Sequence, residues 1–345
     1  MRAGSRVRSS HSYVLSGVRI RSNVALAELQ PCDGAPISNS EVRFKLMPQC
    51  DSLRACSPRW FHRSRNPDGQ TFLKRGRIDT GYLLRFPDYA DFVVSKDGWE
   101  IACSPQNDGV SSATLRHLLL DHVMPLTLNL LGRDAIHASA VFHDGVVCAF
   151  AGEAGAGKST LAASLVGSGA GFFADDCLAL EQAGNEIIAL PAYMGVRLWK
   201  KSAAALGIDG AESTIVADYT AKVRLAKGNF HPRPAPLGAI YFIERRGGRR
   251  SKLRDIMVEP LSGSDALMRL VGAAYRLDIS DSAMLARQFA FLSRIAGRVA
   301  LRKLIIPDNI AYLQEVRSAI TTDPNRQMSR EQQVSGPLAL GAGGR

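Results

Sequence analysis

The chain has 345 residues, 46% of them hydrophobic, which is enough to bury one large core or two modest ones. A net charge of +11 suits an anionic ligand or partner, and none of the six cysteines forms a Cys-x-x-Cys pair, so zinc-ribbon spacing is excluded. No apolar run reaches the length of about 18 residues that a membrane span needs, and the basic N-terminus lacks the apolar core of a signal peptide, so a cytoplasmic protein is expected.

Residues 1–10 read as a disordered tail. Residues 13–29 predict two short strands, and the polar, Pro-, Arg- and Ser-rich stretch 48–70 predicts a loop. Alternation returns at Tyr82 to Phe86. Phe92-Val93-Val94-Ser95 and Trp99-Glu100-Ile101-Ala102 flank Lys96-Asp97-Gly98, a hairpin signature. Residues 11–105 therefore read as an N-terminal β-rich region, a small antiparallel β layer. Leu115, Leu118, Leu119, Val123, Leu126 and Leu130 recur at helical spacing over 112–131, with Ser111 or Ser112 as cap and Pro125 as a kink.

Next come Ala135 to Phe142 and Val146 to Phe150, a second hairpin across His143-Asp144-Gly145. A helix follows from Ser159 and breaks at Gly167-Ser168-Gly169. Strands are expected at Gly171 to Ala174, Cys177 to Leu180 and Glu186 to Leu190; Cys177, and Cys148 in the strand Val146 to Phe150, read as buried thiols. Arg245, Arg246, Arg249, Arg250, Lys252 and Arg254 cluster between the apolar runs Leu237 to Ile243 and Ile256 to Val258. They read as a solvated hairpin tip, with docking of an acidic partner or nucleic acid as the alternative. No aromatic interleaving supports base stacking, so nucleic acid is not expected. Helical periodicity at 264–277, 281–299 and 308–320 predicts a C-terminal helical cluster, and 322–345 a disordered tail.

The most informative stretch is Gly152-Glu153-Ala154-Gly155-Ala156-Gly157-Lys158-Ser159, followed by Thr160. The glycines let backbone N–H groups turn inward to cradle a β-phosphate. Lys158 supplies a point charge toward the β- and γ-phosphates, and the Ser159 hydroxyl can ligate Mg²⁺. The flanks are a strand and a helix N-terminus, the arrangement that a phosphate needs. Gly152 through Thr160 are the candidate nucleotide-binding residues. The strand before the loop is entered from an antiparallel neighbour, whereas most phosphate-loop proteins enter it from a helix.

Asp175 and Asp176 end a short apolar strand just after the loop helix. One carboxylate can hold Mg²⁺, and the other can take a proton from an attacking hydroxyl; side by side, they call for a cation between them. The alternative is a solvated turn. His137, in Ile136-His137-Ala138-Ser139-Ala140, sits in the strand preceding the loop and is either a packed structural histidine or a phosphate contact. Lys222 and Arg224 precede a Pro-rich loop (231–236) and offer charge to phosphate, or else to solvent.

The order His137, Lys158-Ser159 and Ala174-Asp175-Asp176 resembles the catalytic domain of HPr kinase/phosphorylase. Residues from about 80 to 320 are similar to bacterial HPr-kinase-like proteins, including those beside peptide-modification gene clusters, and so is the start, Tyr13 to Leu29. The resemblance implies an α/β fold like that of phosphoenolpyruvate carboxykinase, a phosphate-loop kinase domain with a mixed sheet over 106–321. It implies Lys158 as the phosphate-binding lysine, Ser159 as the Mg²⁺ ligand and His137 as an active-site histidine; of the two carboxylates, Asp175 is the expected second metal ligand. Asp176 is favoured as the base, with Asp175 close behind. It also allows a homo-oligomer.

Two departures stand out. The family's Glu-Arg-Gly segment is matched by Gly195-Val196-Arg197-Leu198-Trp199, which keeps Arg197 for the transferring phosphate and lacks the glutamate. The loop used for phosphorolysis has no counterpart. The leading expectation is an ATP- and Mg²⁺-dependent serine kinase acting on a protein or peptide, without the reverse reaction. A small-molecule kinase and a nucleotide-binding module without transfer activity are the alternatives.

Overall fold

The computed structural model describes residues 10–32, 41–49, 57–66, 68–208, 213–225, 228–246 and 256–324. The expected tails 1–10 and 322–345 lie largely outside this set. So does the basic cluster, apart from Arg245 and Arg246.

The N-terminal region folds as one sheet, which is mixed and not antiparallel as expected, because its third strand runs parallel to both of its neighbours. Its strands are β1 (His11–Leu15), β2 (Val18–Ser22), β3 (Glu41–Leu46), β4 (Arg59–Arg65), β5 (Thr71–Ile78), β6 (Gly81–Phe86), β7 (Ala90–Ser95) and β8 (Glu100–Pro105). Their order is β1-β2-β3-β8-β7-β6-β5-β4. The hairpin at Lys96-Asp97-Gly98 joins β7 to β8, with the Gly98 N–H donating to Ser95 O at 3.0 Å. The loop expected over 48–70 instead contains β4. As the outermost strand it is solvated along most of its length, so its charges mask the alternation that marks a half-buried strand.

This sheet packs on the helical stretch that follows. Leu118, Leu119, Val123 and Met124 share one buried cluster with Ile20, Phe86, Phe92 and Ile101. The stretch is not uniform. Helix α1 (Ser112–His117), capped by the Ser111 hydroxyl, passes into a π-helical turn over Leu118–Val123 and then into α2 (Met124–Leu130). Pro125 lies in the first turn of α2, where its missing N–H is tolerated. The distortion falls upstream of the proline, around Asp121. Single π turns are common at functional sites.

The second sheet is mixed and curled. Strands β9 (Asp134–Ile136), β10 (Ala138–His143), β11 (Val146–Ala151), β12 (Gly171–Ala174), β13 (Leu178–Ala183) and β14 (Glu186–Leu190) come first. The small sheet β15 (Val196–Trp199), β16 (Ser213–Ile215) and β17 (Lys222–Leu225) follows, ordered β15-β17-β16. β18 (Ala235–Arg246), β19 (Met257–Pro260) and β20 (Ala300–Pro307) complete the mixed sheet. β10 and β11 form the expected hairpin. Asp144 and Gly145 take φ of 49° and 83°, the left-handed pair that a two-residue hairpin turn demands. The long β18 pairs in parallel with β11 and β20, and antiparallel with β14.

Helices cover both faces. α3 (Lys158–Val166) and α7 (Leu313–Thr321) bury Leu161, Leu165, Val316 and Ile320 against Phe150 and Tyr241. α5 (Gly263–Ala273) and α6 (Ser282–Arg298) bury Leu270, Leu292 and Ile295 against Ala149 and Ile240, while α4 (Lys200–Ala205) packs on the small sheet.

Three further expectations are corrected in the second sheet and its helices. The C-terminal segment is not a separate helical cluster, because β20 runs through it beside β18. β18 and β19 do not form a hairpin with each other, since β20 lies between them. The fold also continues past residue 321: Asp323 accepts from Tyr241 Oη at 3.0 Å and from Arg302 Nε at 3.2 Å.

Candidate active site

The loop from Gly152 to Ser159 joins β11 to α3. Gly152, Gly155 and Gly157 all have positive φ (145°, 81° and 99°), which an L side chain rarely adopts. At Gly152 a Cβ would lie 2.9 Å from Ile243 O, and at Gly157 2.8 Å from Arg245 Nη2. Lys158 is 6% exposed, and its Nζ donates to Gly152 O (2.9 Å) and Glu153 O (3.0 Å), closing the loop into a ring. Burial pushes its ammonium pKa down. Arg245, expected at a solvated tip, instead braces the loop: its Nε donates to Ala156 O at 3.0 Å, and its Nη1 pairs with Asp308.

Asp175 and Asp176 follow β12, and the backbone separates their environments. Asp175 is 2% exposed. Its Oδ1 accepts from Ser139 Oγ (2.5 Å) and Ser159 Oγ (2.8 Å), and its Oδ2 from the Arg197 N–H (2.8 Å). Asp176 adopts φ of 64°, which turns its side chain, 19% exposed, away from that pocket and toward the cleft. Burial and then the Asp176 charge push the Asp175 carboxyl up. Burial also works to raise Asp176, but Arg197, then Lys222 and His137, outweigh it and hold that carboxyl below the usual range.

His137 does not lie inside a strand. It occupies the break between β9 and β10, its N–H donating to Ala273 O at 2.7 Å. Its Nδ1 lies 3.0 Å from Asp176 O and 3.2 Å from Tyr275 Oη, and Tyr275 Oη donates to the same carbonyl at 2.9 Å. The ring therefore steadies the strained Asp176 backbone. Burial lowers its pKa and favours the neutral imidazole.

Arg197, on β15, is 2% exposed. Its Nη1 donates to Tyr193 Oη (2.8 Å) and pairs with Asp121, its Nη2 donates to Asp175 O (2.7 Å), and its Nε lies 3.4 Å from Asp176 Oδ2. A guanidinium committed in this way organises the two aspartates from beneath. Asp121 anchors the far end of the network. It accepts from Tyr193 Oη at 2.7 Å and contacts His117 Nδ1 at 2.5 Å. Burial works to raise Asp121, but the Arg197 and His117 charges depress it strongly.

Two clefts meet at the loop. One, of about 830 Å³, is lined by Lys158, Ser159, Thr160, Asp176, Arg197 and Lys222. The N-terminal sheet adds Asn66, Asp68 and Phe72 to its wall. The other, of about 810 Å³, lies on the Glu153 to Ala156 side against Phe242 to Arg245 and Arg269, and His137 borders both. Lys222, on β17, faces the first cleft with its ammonium 5.8 Å from the Trp199 ring centroid. Arg224 does not line that cleft and instead lies 3.8 Å from Glu28.

The structure thus brings together every sequence-level candidate except Arg224. The oxygens of Ser159 and Asp175 are hard donors within hydrogen-bond distance of one another, a pair that fits Mg²⁺. Among the described residues, no cluster of three or more His, Cys, Asp or Glu could hold a metal without other ligands. Sequence reasoning missed Ser139, Asp121, His117, Tyr193 and Tyr275. One signal was present: Asp121 interrupts the apolar run Leu118-Leu119-Leu120, and a buried carboxylate there requires a cationic partner.

Among the described residues, no helix is long and apolar enough to cross a membrane. No family model matches the chain, and no curated protein does. Among solved structures, the Hpr(Ser) kinase/phosphatase from Coxiella burnetii is similar at 15% sequence identity and a TM-score of 0.30, over 58% of this chain and 94% of that one.

Proposed function

We propose that this protein is an ATP- and Mg²⁺-dependent phosphotransferase that moves the γ-phosphoryl group to a serine hydroxyl of a protein or peptide. One observation carries the reading. Two adjacent aspartates are held in opposite settings, Asp175 buried on the hydroxyl of the loop's Ser159 and Asp176 facing the cleft beside Lys158 and Lys222. A protein that only binds nucleotide needs the first and has no use for the second.

Loop N–H groups from Gly152 to Ser159 take the phosphates, with Thr160 continuing the helix N-terminus. Ser159 and Asp175 would hold Mg²⁺, which when bound neutralises phosphate charge. Asp176 orients the acceptor hydroxyl and takes its proton as the new O–P bond forms and the bond to ADP breaks. Its lowered pKa is compatible with this role: in a loose transition state positioning outweighs base strength. Lys158 and Lys222 offset charge on the transferring group. Arg197 serves as a positioning residue for both aspartates.

The test is γ-labelled ATP offered separately with serine peptides and with small hydroxylated metabolites. Label on peptide serine supports the reading, whereas label on metabolites alone makes the protein a small-molecule kinase. ATP binding with no loss of the γ-phosphate to any acceptor contradicts it.

A further inference from the structure

We propose that β4 is a docking edge for an extended acidic peptide, which adds to the N-terminal sheet as one more strand and so carries its hydroxyl to the catalytic cleft. The delivery step rests on the phosphotransferase reading, and the docking step does not.

β4 is the terminal strand of its sheet, pairing with β5 on one side and, among the described residues, with no strand on the other. Its seven residues span about 23 Å, and its register against β5 shifts between Trp60 and His62 and again between Ser64 and Arg65. Charged side chains commonly guard such edges. Here the guards share one sign: Arg59, Arg63 and Arg65 are all exposed. The register compounds this, because Arg59 lies opposite Arg77 and Arg63 opposite Lys74. Like charges directly across a pair are destabilising. Asp278 relieves Arg77 through a 2.5 Å contact. No carboxylate among the described residues does the same for Arg59 or Arg63. Carboxylates on an added strand would supply that relief. Trp60, 40% exposed and flanked by Lys74 and Arg85 at 5.9 and 5.6 Å from its ring centroid, offers an apolar platform on the same strand.

The direction of β4 links this edge to the chemistry. The strand ends at Arg65, and the turn that follows places Asn66 and Asp68 in the cleft wall. Phe72, at the start of β5, packs on His122 and Tyr219 with centroids 5.0 and 5.3 Å away, in the same wall as Asp176 and Lys158. A strand laid along β4 toward Arg65 therefore ends at the cleft mouth. Backbone pairing would supply affinity and the arginines would select charge.

The experiment is fluorescence anisotropy on the full chain, without nucleotide, using labelled peptides of about twelve residues with one serine. The probes are a Glu/Asp-rich peptide, its Lys-substituted counterpart, the acidic peptide N-methylated at alternate residues, and a single-stranded oligonucleotide of matching charge. We expect the acidic peptide to bind at least about 10-fold tighter than the basic one, and N-methylation to cost about 10-fold. The triple variant R59E/R63E/R65E should lose a similar factor with a melting temperature at or above that of wild type, because it places carboxylates opposite Arg77 and Lys74. Equal binding of acidic and basic peptides, indifference to N-methylation, or tighter binding of the oligonucleotide overturns the proposal. Lys158→Ala should bind the peptide like wild type. Peptide binding without phosphoserine formation when ATP and Mg²⁺ are added to wild type would retain the docking edge and remove both delivery and the phosphotransferase reading.

Discussion

The Ser159 hydroxyl donates to Asp175 Oδ1 at 2.8 Å, tying the first turn of the loop helix to a carboxylate on the end of a neighbouring strand. The same carboxylate takes the Arg197 N–H on its other oxygen, so one buried side chain joins three elements. Asp176, one residue later, joins none of them through its carboxylate hydrogen bonds and opens to the cleft. The adjacent aspartates should therefore respond differently to the same substitution. Asp175→Asn places an amide where three donors converge and should cost about 2 kcal/mol of stability. Asp176→Asn should change stability by less than about 1 kcal/mol yet abolish transfer. Urea denaturation alongside turnover separates the two, and equal destabilisation would contradict the division of roles.

Arg197→Met should be among the most damaging single changes. It strips the buried Asp121 of its guanidinium partner and leaves only His117 beside it, a change that costs about 3 kcal/mol. Arg197→Met combined with Asp121→Leu removes both charges and should recover a large part of that loss. Unfolding free energies of the two singles and the double give the coupling, and strict additivity would show that the contact between them carries no energy.

The loop glycines allow a cleaner comparison. Gly157→Ala meets both a left-handed backbone and Arg245 Nη2 at 2.8 Å, whereas Gly169, with φ of 104°, has open space around it. Both substitutions carry a backbone cost of about 1 kcal/mol. Only Gly157→Ala should also weaken ATP binding, by about 10-fold, since it displaces the arginine that braces Ala156. Calorimetric titration with ATP measures the difference.

His122 sits between Phe72 and Tyr219, and burial, followed by the charge of His117, pushes its pKa down to about 3. The unfolded chain takes up this proton near pH 6.5, while the folded chain does so only near 3. The stabilisation present at neutral pH is therefore lost as the pH falls through that window, by about 1 kcal/mol at pH 5.5. His122→Phe, which cannot be protonated, should lose less stability than wild type between pH 7.5 and 5.5. Chemical denaturation at both values checks this, and identical losses would contradict it.

Much of the site was legible because its chemistry is local in sequence. The loop at 152–159, the hairpin entering it and the Asp175-Asp176 pair are short motifs whose turn residues dictate their shape. The supporting network was not legible, because Asp121, Tyr193 and Arg197 meet only once α1, the π turn and β15 have packed, and no spacing rule joins them. β20 escaped notice because Arg302 and Lys303 interrupt its apolar pattern. Arg302 is nevertheless only 8% exposed, with Asp323 as its partner. β4 escaped for the opposite reason, being an edge with little buried face. Arg245 read as surface charge because the sequence could not show that β18 carries it alongside the phosphate loop.

The central claim is that Asp176 and Lys158 perform phosphoryl transfer to a serine hydroxyl. The most direct measurement is phosphoserine formation by mass spectrometry after incubation with ATP, Mg²⁺ and serine peptides, for wild type, Lys158→Ala and Asp176→Asn. Phosphoserine should form with wild type, fall by about 100-fold or more in each variant, and disappear on chelation of Mg²⁺. Undiminished phosphoserine in both variants, or none from a wild-type protein that binds ATP, would contradict the account.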